Sequence, residues 1–176
     1  MIFDTEFSDF NLAKAQLYTI QAYFPRRELK IWKIWEYETE KDMVIDFVDW
    51  FLKVNDKILI GYNLLKTDIP LLMLKAQKIP QSEEFFLKIN KCNIIDLHLI
   101  LTFLNKGKIQ GLEAWCKEFN IPYQPSLKGN EIKTCFETAN FEAITDYISI
   151  ESKTVSELYS KLYRRTKLKA PLEALK

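Results

Sequence analysis

Histidine and glycine are scarce in this sequence, and each shortage excludes a class of chemistry. His98 is the single histidine among 176 residues, so a histidine-rich zinc site is excluded and a Ser-His-Asp triad would have to use that residue. The four glycines stand at positions 61, 107, 111 and 129, a spacing that fits neither GxGxxG nor GxxxxGKS/T. Carboxylates therefore remain as the main candidates for chemistry.

Cysteines are few, and long apolar runs and an excess of one charge are missing. The three cysteines are odd in number and form no CxxC pair, which is typical of a reducing compartment, so a cytoplasmic protein is expected. The absence of any run of about 18 apolar residues, and of a basic then apolar N-terminus, argues against a membrane span and a secretory signal. The net charge is only +1, so a nucleic-acid partner would have to be held by a local groove or by metal ions.

Period-two alternation of apolar residues predicts three strands at the start of the chain. They cover residues 2–6, 16–24 and 29–37 and are expected to form an antiparallel meander. The apolar run at 57–61 is continuous and ends at a glycine, which predicts a strand buried on both faces.

Helical periodicity follows the meander, so the chain is predicted to be a layered α/β domain. Thr39 and Asp96 are the expected N-caps of the first and third helices, and residues 120–137 are expected to be a loop. One domain is expected over residues 1–176, with a basic tail from about residue 164. The predicted helices cover residues 40–54, about 68–78, 96–105, 110–119 and 139 to about 166.

The first strand carries two acids on one face. Strand alternation places Asp4 and Glu6 on the same side, about 7 Å apart. Two ionised carboxylates side by side repel each other, whereas a divalent cation between them reverses the sign of that interaction. The alternative interpretation is an edge strand with two solvated acids, because such triplets are common.

A second candidate segment, GYNLLKTDIPLL, begins at Gly61 and directly follows the buried strand. Asn63 lies at the carboxyl end of that strand, where open α/β sheets place their ligands. Asp68 is either a functional acid or the N-cap of the next helix, with Pro70 in the first turn.

The third candidate segment lies in the last helix, where Glu151 interrupts an apolar stripe. Tyr147 precedes Glu151 by four residues and shares its face, whereas the rival acid Asp146 points roughly 100° away from Tyr147. A carboxylate aimed at the core needs a partner, and a metal ion shared with Asp4 would provide one. The alternative is that Glu151 snorkels at the edge of the stripe.

Together these segments resemble the three exonuclease motifs of the DEDD superfamily, in the subtype with a tyrosine in its last motif. The resemblance is to the proofreading exonuclease domain of family B DNA polymerases and its stand-alone relatives. It spans residues 3–163 and includes the stretches IIDL at 94–97 and GLEAW at 111–115. It implies an RNase H-like fold, with a mixed central sheet flanked by helices, and a two-metal 3′–5′ exonuclease.

The resemblance also implies a role for each acid. Asp4 would bridge two ions, Mg²⁺ or Mn²⁺. Glu6 and Glu151 would complete the first ion's ligands, and Asp68 would hold the second. Tyr147 would orient the attacking water.

The implied substrate is a single-stranded DNA 3′ end, with RNA as an alternative, and a polymerase or repair protein is a possible partner. Asn63 is expected to contact the substrate, and Phe7 and Phe10 are expected to contact an unstacked 3′ base. The sequence leaves open the choice between DNA and RNA, the identity of the metal and the oligomeric state.

Two positions depart from the family pattern. Glu151 stands where the family usually has Asp, and Thr67 stands where it usually has an aromatic residue. A misplacement of about 1 Å costs about a hundredfold in rate. A non-catalytic or weakly active nucleic-acid-binding or partner-docking module of the same fold is therefore an alternative function. A structure-specific endonuclease is another.

Overall fold

Five strands form the centre of the chain in a computed structural model, which describes residues 1–25, 28–55 and 57–166. Part of the predicted basic tail, residues 167–176, lies outside these described residues. The strands are β1 Ile2–Phe7, β2 Leu17–Tyr23, β3 Leu29–Lys33, β4 Ile58–Gly61 and β5 Asn93–Asp96. They form one sheet in the order β3-β2-β1-β4-β5. The β1–β2 and β2–β3 pairs are antiparallel, whereas β4 runs parallel to β1 and β5, so the predicted mixed sheet is confirmed.

Helices cover both faces of the sheet. The predicted cap of the first helix is confirmed, because the Asp42 N–H donates to Thr39 Oγ1 at 3.2 Å. Within the described residues, no helix is both long enough and apolar enough to cross a membrane. The helices are α1 Glu40–Lys53, α2 Asp68–Ala76, α3 Ser82–Asn90, α4 Leu97–Leu104, α5 Leu112–Glu118, α6 Ile132–Glu137 and α7 Phe141–Thr166.

The predicted third strand is too long. β3 ends at Lys33, and Ile34–Glu36 form a 3₁₀ turn closed by a 3.1 Å bond from the Tyr37 N–H to the Ile34 carbonyl. Trp35 leaves the strand direction because its ring stacks on Phe141 of α7, with ring centroids 4.3 Å apart. The alternation of apolar residues continues through residue 37 and predicted a strand of that length. The aromatic contact with α7 ends the strand earlier.

Three short elements were not predicted. α3 lies in a segment for which the sequence predicted no helix or strand. β5 occupies residues 93–96, and the last of these was predicted to begin a helix. β5 is stabilised by parallel pairing with β4, which a four-residue apolar run cannot reveal alone. The predicted loop 120–137 contains α6, which begins at Ile132 and buries Ile132 and Cys135.

β1 divides the interior because its successive side chains point to opposite faces. Phe3 packs with α1, α2 and α3, whereas Ile2 packs in the cluster beneath α4, α5 and α7. Asp4 and Glu6 share the face of Ile2, and α7 packs against β1 and β2 on that side. β2 is buried on both faces from Leu17 to Ala22, so its polar residues also lie in the interior.

Candidate active site

Three carboxylates from two distant elements meet between β1 and α7. One ligand oxygen from each of Asp4, Glu6 and Glu151 lies within 4.8 Å of the other two. Packing of α7 over β1 brings Glu151 to the two strand acids across more than 140 residues of sequence. Each of the three side chains is half-buried.

Asp68 lies next to this trio, as the first residue of α2, and is 2% exposed. Its Oδ1 accepts hydrogen bonds from the Thr5 N–H at 2.9 Å and from Thr5 Oγ1 at 2.6 Å. Thr67 occupies the N-cap position and donates from Oγ1 to Asp68 Oδ2 at 2.7 Å. Asp68 therefore does not cap α2. Its carboxyl group instead lies beside that of Asp4, so the two can share a proton when one of them is protonated.

Asp96 fixes the turn that follows β4. Its carboxylate accepts from the Asn63 N–H at 2.9 Å, the Leu65 N–H at 3.0 Å and the His98 N–H at 3.0 Å. Asp96 thus caps α4 as predicted and also holds Asn63, whose φ of 70° lies in the left-handed region that asparagine tolerates. The turn brings Asn63 to the edge of the acidic cluster.

The cluster carries more negative charge than its surroundings compensate. Burial, followed by repulsion from Asp68, Glu151 and Glu6, raises the pKa of Asp4 well above its usual range. Burial and the nearby Glu151 do the same for the pKa of Glu6. Burial also raises the pKa of Glu151, although a hydrogen bond from Tyr147 opposes this shift. Such a cluster is stable either when it retains protons or when cations neutralise it.

One oxygen of the cluster is suited to a cation. Glu151 Oε2 is buried and has no hydrogen-bond partner among the described residues. Carboxylate oxygens are the ligands that hard divalent cations prefer. A buried carboxylate oxygen without a hydrogen-bond donor destabilises the fold unless a positive charge contacts it. The donor set of Asp4, Glu6 and Glu151 therefore fits a divalent metal ion.

The acids open into a cavity of about 400 Å³. Phe10 is 84% exposed at its rim and packs edge-to-face against Phe7, with ring centroids 5.7 Å apart. A larger cavity of about 600 Å³ adjoins Lys57 and Cys92, at the amino ends of β4 and β5, and the described residues of its lining include one carboxylate. Every residue that the sequence predicted for the site lines the smaller cavity: Asp4, Glu6, Phe7, Phe10, Asn63, Asp68, Tyr147 and Glu151.

Residues of the predicted loop 120–137 also reach the site. Lys133 of α6 lines the cavity, where it is the one basic side chain among the described lining residues. Tyr123 lies close enough to Tyr147 for the two phenols to influence each other's pKa. A Cβ atom added to Gly129 would lie 3.6 Å from the Tyr147 hydroxyl. The sequence analysis missed Lys133 because α6 is short and its apolar period spans little more than one turn. It missed Tyr123 and Gly129 because the whole segment was predicted to be a loop.

A buried glutamine on β2 was also missed. Gln21 Nε2 donates to Asp4 Oδ2 at 2.7 Å, and Gln21 Oε1 accepts from Thr19 Oγ1 at 3.0 Å. The available signal was the pair of polar residues on the second face of β2, which the alternation analysis left without a role.

Comparisons with known proteins agree with this architecture. The structure superposes on the family B DNA polymerase from the hyperthermophilic archaeon Pyrobaculum calidifontis with a TM-score of 0.70 and 14% sequence identity. The alignment covers 92% of this chain and 24% of the polymerase chain, so the chain spans about a quarter of that protein. At this identity the match shows the fold, and the predicted RNase H-like fold is confirmed. None of the curated proteins matches the sequence.

The model of the family described as DNA polymerase family B, exonuclease domain, matches residues 10–109. This region contains Asn63 and Asp68, whereas Asp4, Glu6 and Glu151 lie outside it and are brought together by the fold. Exonuclease domains of this family use divalent metals. Since the matched region makes up more than half of the sequence, the chain belongs to the exonuclease-domain family of the family B DNA polymerases.

Proposed function

We propose that this protein is a metal-dependent 3′–5′ exonuclease that removes nucleotides from single-stranded DNA ends, with RNA as a second possible substrate. In this proposal residues 1–176 act as one exonuclease domain. The observation that carries it is the convergence of Asp4, Glu6 and Glu151 within 4.8 Å, with Glu151 Oε2 buried and lacking a partner. Membership of the exonuclease-domain family supports the same activity.

The acids divide into two ligand sets in this proposal. Asp4, Glu6 and Glu151 would hold one Mg²⁺ or Mn²⁺ ion, and Asp4 with Asp68 would hold a second. Thr5 makes two hydrogen bonds to Asp68 Oδ1, whereas Oδ2 accepts one, from Thr67, so Asp68 would coordinate through the remaining lone pair of Oδ2. Two divalent cations supply Lewis-acid stabilisation of phosphodiester hydrolysis and an activated water.

Tyr147 would orient the attacking water by hydrogen bonding. Burial and the negative charges of Glu6 and Glu151 raise the pKa of its phenol far above the ordinary value. Tyr147 therefore keeps its proton at neutral pH and can act as a donor or acceptor, but not as a general base. Tyr147 lies at the cavity wall, close to Glu151 and Tyr123.

The cavity rim supplies contacts for a strand end. Phe7 and Phe10 present aromatic faces on which an unstacked terminal base can stack, an interaction worth about 1–3 kcal/mol per base. Asn63 lies on the cavity wall and can hydrogen-bond the terminal nucleotide. Lys133 places a positive charge where a phosphate can reach it. A polymerase or repair protein as partner remains part of the proposal.

The test is cleavage of 5′-labelled single-stranded DNA and RNA with Mg²⁺, Mn²⁺ or EDTA. A 3′–5′ exonuclease yields a ladder that shortens from the 3′ end, needs the metal, and is blocked by a terminal phosphorothioate. Uncut circular single-stranded DNA excludes an endonuclease. Binding without cleavage by the wild type, under conditions where an unrelated exonuclease is active, would favour a non-catalytic binding module.

A further inference from the structure

Gln21 lies directly across the β1–β2 ladder from Asp4. The antiparallel register pairs Asp4 with Gln21 and Glu6 with Thr19, so all four side chains share the face covered by α7. The short cross-strand distance lets Gln21 Nε2 donate to Asp4 Oδ2 at 2.7 Å. Backbone pairing therefore sets this contact.

Both ends of the Gln21 amide are engaged. Its oxygen accepts from Thr19 Oγ1 at 3.0 Å while its nitrogen faces Asp4. The reversed amide would turn a second acceptor toward the Asp4 carboxylate, which a metal ion would keep ionised. Thr19 therefore fixes the orientation of the Gln21 amide, and the amide N–H donates to one oxygen of Asp4.

Gln21 is 1% exposed and Thr19 is fully buried. The described lining of the 400 Å³ cavity contains Asp4 but neither Gln21 nor Thr19. A substrate in the cavity therefore meets Asp4 and not Gln21. Any effect of Gln21 on a reaction must act through Asp4.

We propose that Gln21 is a positioning residue that holds Asp4 in its metal-binding orientation. By engaging Oδ2 it fixes the side-chain torsion of Asp4 and leaves Oδ1 free of this bond, so that less ordering is needed when a cation binds. This inference rests on the proposed function, because it assigns Asp4 as a metal ligand. Partners of this kind typically change metal affinity or activity by about 10–100-fold.

The test is a titration of the 176-residue protein with Mn²⁺ by calorimetry, alongside cleavage kinetics. Gln21→Met keeps the side-chain length but removes the amide, and is expected to weaken Mn²⁺ binding and lower kcat by about tenfold or more. The KM for DNA should stay within about twofold, because Gln21 does not reach the cavity. Excess Mn²⁺ should restore part of the lost rate.

Three further variants separate positioning from folding. Thr19→Val should produce a smaller loss of the same kind, because the amide remains. Gln21→Asn keeps the amide on a shorter side chain. It replaces Gln21→Met in the test if the melting temperature of Gln21→Met lies well below that of the wild type. Tyr23→Phe, on the same strand but paired with Ile2 rather than with an acid, should behave as wild type.

Wild-type Mn²⁺ affinity and kcat in a folded Gln21→Met protein would overturn the inference. So would a raised KM with unchanged Mn²⁺ affinity, because that pattern marks a substrate contact. If the wild type binds Mn²⁺ but cuts no nucleic acid, the proposed function fails while the Mn²⁺ titration still tests Gln21. If the wild type binds no Mn²⁺, both proposals fail.

Discussion

Thr5 Oγ1 donates a 2.6 Å hydrogen bond to Asp68 Oδ1 and so joins β1 to the first residue of α2. Thr5 stands between the two acids of β1, and its side chain points to the opposite face. One strand therefore presents Asp4 and Glu6 toward α7, and its Thr5 also anchors Asp68 beside them at the same cavity. Thr67, which replaces the usual aromatic residue of the family, adds a second hydroxyl to this anchor at 2.7 Å.

Asp4→Asn should nearly abolish metal-dependent cleavage, because Asp4 is the acid proposed to contact both ions. Its neutral amide binds a hard cation poorly while keeping nearly the same volume. The measurement is single-turnover cleavage of labelled single-stranded DNA with Mg²⁺ and with Mn²⁺. A rate within a few-fold of the wild type would show that another site cuts.

Metal-free stability should also change, in a direction that depends on pH. The pKa of Asp4 is raised in the folded protein and is near 3.9 in the unfolded chain, so between these values only the unfolded state releases the proton. The free energy of unfolding contributed by Asp4 therefore falls as pH rises. In EDTA, Asp4→Asn should melt above the wild type at about pH 7, and the difference should shrink toward about pH 4. Adding Mn²⁺ should make the wild type melt above Asp4→Asn. Equal melting temperatures in all conditions would contradict the mutual repulsion proposed for the buried acids.

Glu151→Gln and Glu151→Asp should have opposite effects. The amide of Gln removes a charged ligand, so activity should be lost. Asp restores the shorter arm usual in the family and should keep or raise activity. Cleavage rates and Mn²⁺ affinities of both variants provide the measurement. Asp146 is exposed, and Asp146→Asn serves as the matched control on the same helix. Full activity in Glu151→Gln would remove α7 from the proposed site.

Tyr147→Phe should slow cleavage by about a hundredfold or more without weakening DNA binding, because it removes only the hydroxyl that orients the water. Tyr159→Phe is a matched control, since the Tyr159 hydroxyl is buried and has no partner among the described residues. Binding by fluorescence anisotropy and single-turnover rates separate the two steps. Equal slowing by both variants would indicate a loss of packing rather than of a specific hydrogen bond.

Lys133→Ala should weaken binding of single-stranded DNA and leave the cleavage rate of bound DNA nearly unchanged. One lost phosphate contact should reduce the slope of log K against log salt concentration by about 0.7. Lys133 pairs with Glu137 at 4.0 Å, with both side chains more than half exposed, so its removal should cost little stability. Lys117→Ala, on the exposed face of α5, should leave the slope unchanged. A slope equal to that of the wild type would show that Lys133 contacts no phosphate.

Local patterns predicted the elements that repeat a clear period. α1, with its Thr39 cap, and the long α7 follow from apolar spacing, because helix faces are set within a few turns of sequence. β3 was predicted too long and α6 was missed, because an aromatic stack on Phe141 and burial of Ile132 depend on residues far away in sequence. The resemblance to exonuclease motifs named the candidate acids without giving their distances.

The sequence by itself determined that carboxylates carry the candidate chemistry, that Asp4 and Glu6 share a strand face, and that Glu151 interrupts an apolar stripe. These conclusions follow from the side-chain periods of two residues in a strand and 3.6 residues in a helix, which relate residues close together in sequence. Only the tertiary structure decided that Glu151 lies within 4.8 Å of the strand acids and that Gln21 bonds Asp4. Those distances depend on helix packing over the sheet and on strand register, and both are fixed by the sum of many long-range contacts that no local pattern contains.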